Sequence, residues 1–179
     1  MQEGNDSKAG VNKTSLRSVL EALDAVCISA NVRWPHRQQL ALVAHFIKED
    51  WDFKKGGPYR HYKLRRKLET QVAQLRTTLK DHPRLHRWVR GIDGAANELH
   101  APPEVFARVF RQAARTGLGH RSSHVGEDFP HLLTGMRYML DALELLDLRD
   151  GARIGHGTAL GIAPELWLER MPSTLYLKR

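Results

Sequence analysis

From residue 85 to residue 157 short apolar segments alternate with amphipathic stretches of helical period. Leu85–Ile92, His120–Val125 and Ala152–Gly155 read as strands. Between them lie a helix that starts at Pro102-Pro103 and buries Val105, Phe106, Val109, Phe110 and Ala113, and a second helix over Pro130–Leu146. The second carries Leu132, Leu133, Met136, Leu140 and Leu143 in register. Strand–helix–strand order of this kind implies parallel strands joined by crossover helices.

The preceding residues extend the pattern. Residues 1–13 are polar and read as a disordered tail. Thr14-Ser15 can cap a helix with Leu16, Val19, Leu20 and Leu23 on its apolar side. Val26–Val32 is a short strand or a helix end. Leu40–Ile47 is an apolar run of strand length, which suits a strand buried on both faces, with a buried helix segment as the alternative. Tyr62–Leu79 is a long helix with Leu64, Leu68, Val72 and Leu75 as its apolar stripe, stopped by Pro83. Three regions result: a tail over 1–13, a basic helical segment over 14–84, and a β/α segment over 85–179. Pro164–Met171 adds one or two helical turns.

Composition narrows the class. With 41% hydrophobic and 27% charged residues the chain has the make-up of a soluble globular protein, and no run reaches the ~20 apolar residues of a membrane helix. A single cysteine, Cys27, excludes an intrachain disulfide and fits a reducing cytoplasm. The net charge of +8 is concentrated in the first half: residues 1–90 carry 18 Lys and Arg against 9 Asp and Glu, and residues 91–179 carry 10 against 11. A basic half of this kind can meet nucleic acid, a nucleotide phosphate or an acidic partner subunit, although solvated helix surface is the commoner meaning. Trp34, Trp51, Trp88 and Trp167 have no regular spacing and suggest no base-stacking platform.

Chemistry concentrates where strands end. In a parallel barrel functional side chains sit at the carboxyl ends of strands. His124 with Glu127, His156, and the loop Asp93–Glu98 all fall there. A His is a metal ligand or a base near neutral pH, and a carboxyl group can act as a proton donor. Gly155 and Gly157 let the chain turn sharply around His156. His45 reads as a buried structural histidine, and His61 as a solvated residue in a basic turn.

The same segments carry a resemblance. His124-Val125-Gly126-Glu127 is similar to the His-Ala-Gly-Glu motif of adenosine deaminases. Arg153-Ile154-Gly155-His156-Gly157 matches their Arg-Ile-Gly-His-Gly motif. Gly91–Glu98 resembles their strand-four segment ending Ala-Gly-Asp-Glu. Ser123–Phe129 and Thr158–Ile162 resemble a divergent branch of that family found in a bacterial phage-defence system. The resemblance covers about residues 85–160. It implies an α/β fold, part of a (β/α)8 TIM barrel, and zinc-dependent hydrolytic deamination of an adenine nucleoside or nucleotide. His124 would be a Zn2+ ligand, Glu127 the proton donor to the purine ring, and His156 the base beside the attacking water. Ala96 would stand where the family has a glycine whose N–H meets a ring nitrogen. Two family elements are missing from this sequence: no His-x-His occurs, and no Asp follows Asp150. The expectation is therefore a deaminase-like segment that is incomplete as it stands, with the remainder either lying beyond both ends of this sequence or supplied by a second copy in a homo-oligomer or by another, complementing chain. The alternative is a non-catalytic binding or assembly module whose basic half contacts nucleic acid or a partner subunit.

Overall fold

The computed structural model describes residues 17–22, 25, 41–52, 54, 57–83, 86 and 88–171. Four strands, β1 (Leu42–Ile47), β2 (Val89–Ala95), β3 (His120–Val125) and β4 (Arg153–His156), lie side by side in chain order. Every neighbouring pair is parallel. Helix α1 (Tyr62–Asp81) connects β1 to β2, α2 (Ala107–Ala114) connects β2 to β3, and α3 (Leu132–Leu145) connects β3 to β4; α4 (Pro164–Arg170) follows. Short 3-10 turns at Pro103–Val105 and Thr158–Gly161 precede α2 and α4. Consecutive parallel βα units of this order are what a TIM-barrel-like sheet is built from; four strands are present among the described residues, against eight in a closed barrel.

The register divides the sheet into two faces. Phe46, Ile92 and Val125 point to one face and are buried beneath the helices. Val43, His45 and Ile47 point to the other, which stays open; Val43 and Ile47 are 43% and 44% exposed. Within the described part of the apolar run, Leu42–Ile47 is thus a strand, but one packed on a single face. Its alternation, rather than its overall hydropathy, describes its environment. His45 is accordingly exposed on the open face, not buried.

Helix α1 follows its sequence closely. Leu64, Leu68, Val72, Leu75 and Leu79 recur at helical spacing and are all buried. Each such side chain removed from water contributes about 1.5–3 kcal/mol before entropy is counted. The helix ends two residues before Pro83, whose ring cannot continue it. At its other end His61 is buried with a left-handed backbone, φ 57°, and lies 5.9 Å from the Trp51 ring. It is not the solvated turn residue expected. Burial holds its imidazole down at about pKa 4, aided by Arg60 and Arg65 and opposed by Asp50.

Two further expectations need correction. Strand β2 starts at Val89 rather than Leu85 and runs on through Ala95, taking Asp93 and Gly94 out of the loop and into the sheet. In α3 the buried positions are Leu132, Gly135, Met139 and Ala142, while Leu133, Met136, Leu140 and Leu143 are exposed. Gly135 explains the choice: a Cβ there would stand 2.7 Å from Phe129 and 2.9 Å from Ala159, so the helix sits down on its small residues. Strand β3 and the helical turn at α4 fall where the sequence places them. Residues 1–13, the Val26–Val32 segment, Cys27 and Trp34 lie outside the described residues. No helix among the described residues is long and apolar enough to cross a membrane.

Candidate active site

Strand β3 delivers His124 and then stops at Val125, because Gly126 turns the chain with φ +75°. A Cβ at Gly126 would come within 2.7 Å of Met139 Sδ, so both backbone angle and space favour glycine there. The turn is held from two sides. Glu98, in the loop after β2, accepts the Gly126 N–H at 2.6 Å with Oε2 and the Asp128 N–H at 2.7 Å with Oε1. The Gly126 carbonyl accepts the Ala159 N–H at 2.9 Å and the Thr158 hydroxyl. Glu127, between these anchors, projects to solvent with nearly half its side chain exposed.

His156 closes β4. Strand alternation pairs it with buried Val125, on the side of the helices. Its backbone instead takes φ 65°, a region in which non-glycine residues are uncommon. The imidazole lies 5.3 Å from the His124 ring, and its Nε2 is 3.3 Å from Glu127 Oε2. Gly155 makes room for this grouping, since a Cβ there would lie 2.9 Å from His124 Cδ2. Three of the four residues singled out in the sequence, His124, Glu127 and His156, therefore meet at the carboxyl end of the sheet. Ala96, the fourth, stands one residue beyond β2 at the same end, exposed and left-handed at φ 74°.

Beneath them lie buried charges that motif reading did not single out. Asp93 is 2% exposed and lies on β2, with Ser122 of β3 donating to its Oδ1 at 2.7 Å. Its Oδ2 faces His124 Nδ1 at 3.2 Å and His45 Nδ1 at 3.5 Å. Lys48, just past β1 and 2% exposed, donates its Nζ to the His124 carbonyl. Burial lowers the Lys48 pKa, against the pull of Glu98, Asp93 and Glu127. Burial likewise raises that of Glu98, against its backbone N–H donors and Lys48. Lys48 follows an apolar run, and only long-range pairing makes it internal. Among sequence signals, Asp93 and Glu98 had only their place in the Gly91–Glu98 motif.

The arrangement can move protons: a carboxyl and an imidazole touch, and a second imidazole stands beside them. It does not make a metal cage. Among the described residues no group of three or more His, Cys, Asp or Glu side chains is arranged to hold a metal ion. His124 supplies one imidazole, whereas zinc sites use three or four protein ligands. The zinc centre expected from the motifs does not fit the donor set found here.

No protein-family model matches the chain. Over 103 residues, 58% of its length, it is 36% identical to an adenine deaminase of Cupriavidus metallidurans. That stretch is 25% of the relative, so the chain spans about a quarter of the length of the curated protein it matches. The similarity supports a deaminase-like α/β chain.

Proposed function

We propose that this chain carries the proton-transfer residues of a hydrolytic deaminase acting on an adenine-type ring. The carrying observation is the 3.3 Å approach of Glu127 Oε2 to His156 Nε2, with the His124 ring alongside, at the carboxyl end of parallel strands. The similarity to an adenine deaminase supports the substrate class. In this reading water adds to the amine-bearing carbon of the ring. His156 takes the proton from the attacking water and passes it to the departing amine, Glu127 gives a proton to the ring nitrogen and regains one from the new hydroxyl group, and breaking of the carbon–nitrogen bond releases ammonia. Ala96 would present its N–H to the ring from the end of β2. His124 would be the first ligand of a zinc site whose other donors the described residues do not supply, so no step is assigned to a metal. The narrower phage-defence affiliation rests on Ser123–Phe129 and Thr158–Ile162 alone.

The test is ammonia release from adenine and adenosine, with zinc added, by the parent chain and by Glu127→Gln. The expected result is a rate at least ~10²-fold lower in the variant, the usual weight of a positioned acid or base. Equal rates would remove Glu127 from the chemistry. No turnover by the parent on either compound would overturn the activity for this chain.

A second reading, a binding module for phosphate-rich partners, has one observation in its favour. Arg76, Lys80, His86 and Arg115 line a cavity of about 490 Å3 that has no carboxylate among its lining residues. Nucleic-acid binding that weakens steeply between low and moderate salt would support it.

A further inference from the structure

Asp93 is a buried carboxylate on the central part of the sheet, and none of the proton-transfer roles above involves it. One oxygen is occupied: Oδ1 accepts the Ser122 hydroxyl at 2.7 Å. The other, Oδ2, is fully buried and has no aligned hydrogen-bond donor. His124 Nδ1 is in the same situation, buried and without an aligned partner. The two atoms face each other at 3.2 Å. His45 Nδ1 is farther, at 3.5 Å, on a side chain more than half exposed to water, so it has an alternative partner in solvent that His124 Nδ1 lacks. Leaving either atom buried and unpaired is costly, and at 3.2 Å a proton on Nδ1 pairs both once the ring turns to align its N–H with Oδ2.

The opposite edge of the same ring lies elsewhere. His124 Cδ2 and Nε2 lie over Gly155 of β4, where a Cβ would be 2.9 Å and 3.2 Å away. The imidazole thus spans the sheet from Asp93 on β2 to Gly155 on β4, and its Nε2 edge lies toward the strand that ends in His156.

We infer that Asp93 is a positioning residue that fixes the tautomer of His124, holding the proton on Nδ1 and leaving the Nε2 lone pair directed into the site. A neutral imidazole can ligate a cation or accept a proton only through its unprotonated nitrogen. A carboxylate on the other nitrogen sets which one that is and also fixes the ring plane. Ser122 sets the carboxylate in turn, by occupying Oδ1. The meaning of this device for deamination rests on the functional reading above, but the tautomer itself is a property of the folded chain and is measured without turnover.

The experiment is a long-range 1H–15N spectrum of the histidine-labelled chain at about pH 8, where an ordinary imidazole is neutral. His124 is assigned by the signal lost in His124→Gln. The expected spectrum shows a protonated, pyrrole-type Nδ1 and a pyridine-type Nε2 for His124, the reverse of the tautomer that free histidine favours. Asp93→Ala should move His124 toward the Nε2-protonated form, while His45→Ala leaves it unchanged. An Nε2-protonated His124 in the parent chain would overturn the inference, as would an unchanged spectrum in Asp93→Ala. Should Asp93→Ala fail to fold, the parent spectrum and the His45→Ala control decide it. A confirmed tautomer with no ammonia release would leave Asp93 in its role and remove only the deaminase reading.

Discussion

Ala96 carries a backbone cost that its own side chain imposes. It holds φ 74°, on the left-handed side where a side chain costs roughly 1–2 kcal/mol, and it is exposed, so no packing compensates. Glycine would remove that cost while giving back about 0.4–1 kcal/mol through a more flexible unfolded chain. Ala96→Gly should therefore stabilise the fold by up to about 1 kcal/mol, a rise of a few degrees in melting temperature for a chain of this size. A loss of stability would show that the backbone at 96 is not held left-handed. His61 makes the complementary point about charge. Its folded pKa of about 4 lies below the ordinary histidine value, so the unfolded chain takes up a proton that the folded chain refuses. Stability should hold above about pH 7 and fall by about 2–3 kcal/mol as pH drops through the window from 6.5 toward 4. Denaturant titrations at several pH values measure this. His61→Asn, which tolerates the left-handed backbone, should flatten the slope.

At the scale of elements, the sequence was most readable where one face alone is apolar. Helix α1 has a single stripe, and its buried positions follow from spacing. Strand β3 is bounded by Gly117 and Gly126, both left-handed, and its limits follow from those breaks. Helix α3 is different, because leucine and methionine occur around most of its circumference. Period alone cannot choose between the Leu132–Met139 side and the Leu133–Leu140 side. Contact with Phe129 and Ala159, distant in register, makes the choice through Gly135. The candidate site divides in the same way. His124, Glu127 and His156 were legible because each sits in a short motif at a strand end. Lys48 was not, since its burial depends on β1 pairing with β2 across the length of α1. The face assignment in α3 has a direct test. Met139→Ala removes a buried side chain that packs against Gly126 and Gly157, and should cost about 2–3 kcal/mol. Leu140→Gln, one position on and mostly exposed, should change stability by less than about 0.5 kcal/mol. Reversal of the two values would put the opposite stripe against the sheet.

Across the whole molecule, charge and fold pull against each other. The first 90 residues carry an excess of +9, which the rest of the chain reduces to +8, and Arg76, Lys80 and His86 of that part meet Arg115 around one cavity. Like charges so gathered destabilise the compact state through mutual repulsion. Opposing this are surface pairs such as Arg17–Glu21 at 2.9 Å and Arg66–Glu69 at 3.2 Å. Exposed pairs of that kind contribute only about 0–1 kcal/mol each, and salt screens them as well. The buried charges Asp93, Glu98 and Lys48 are shielded from bulk ions and should respond little. The balance therefore predicts a sign. Raising ionic strength from about 0.01 M to about 0.15 M shortens the screening length from ~30 Å to ~8 Å, which weakens long-range repulsion more than contact pairs. The denaturation midpoint of this chain should rise over that range with a neutral salt such as sodium chloride. A midpoint that falls would mean that surface ion pairing outweighs the repulsion of the basic half, and that the positive excess is already neutralised within the fold.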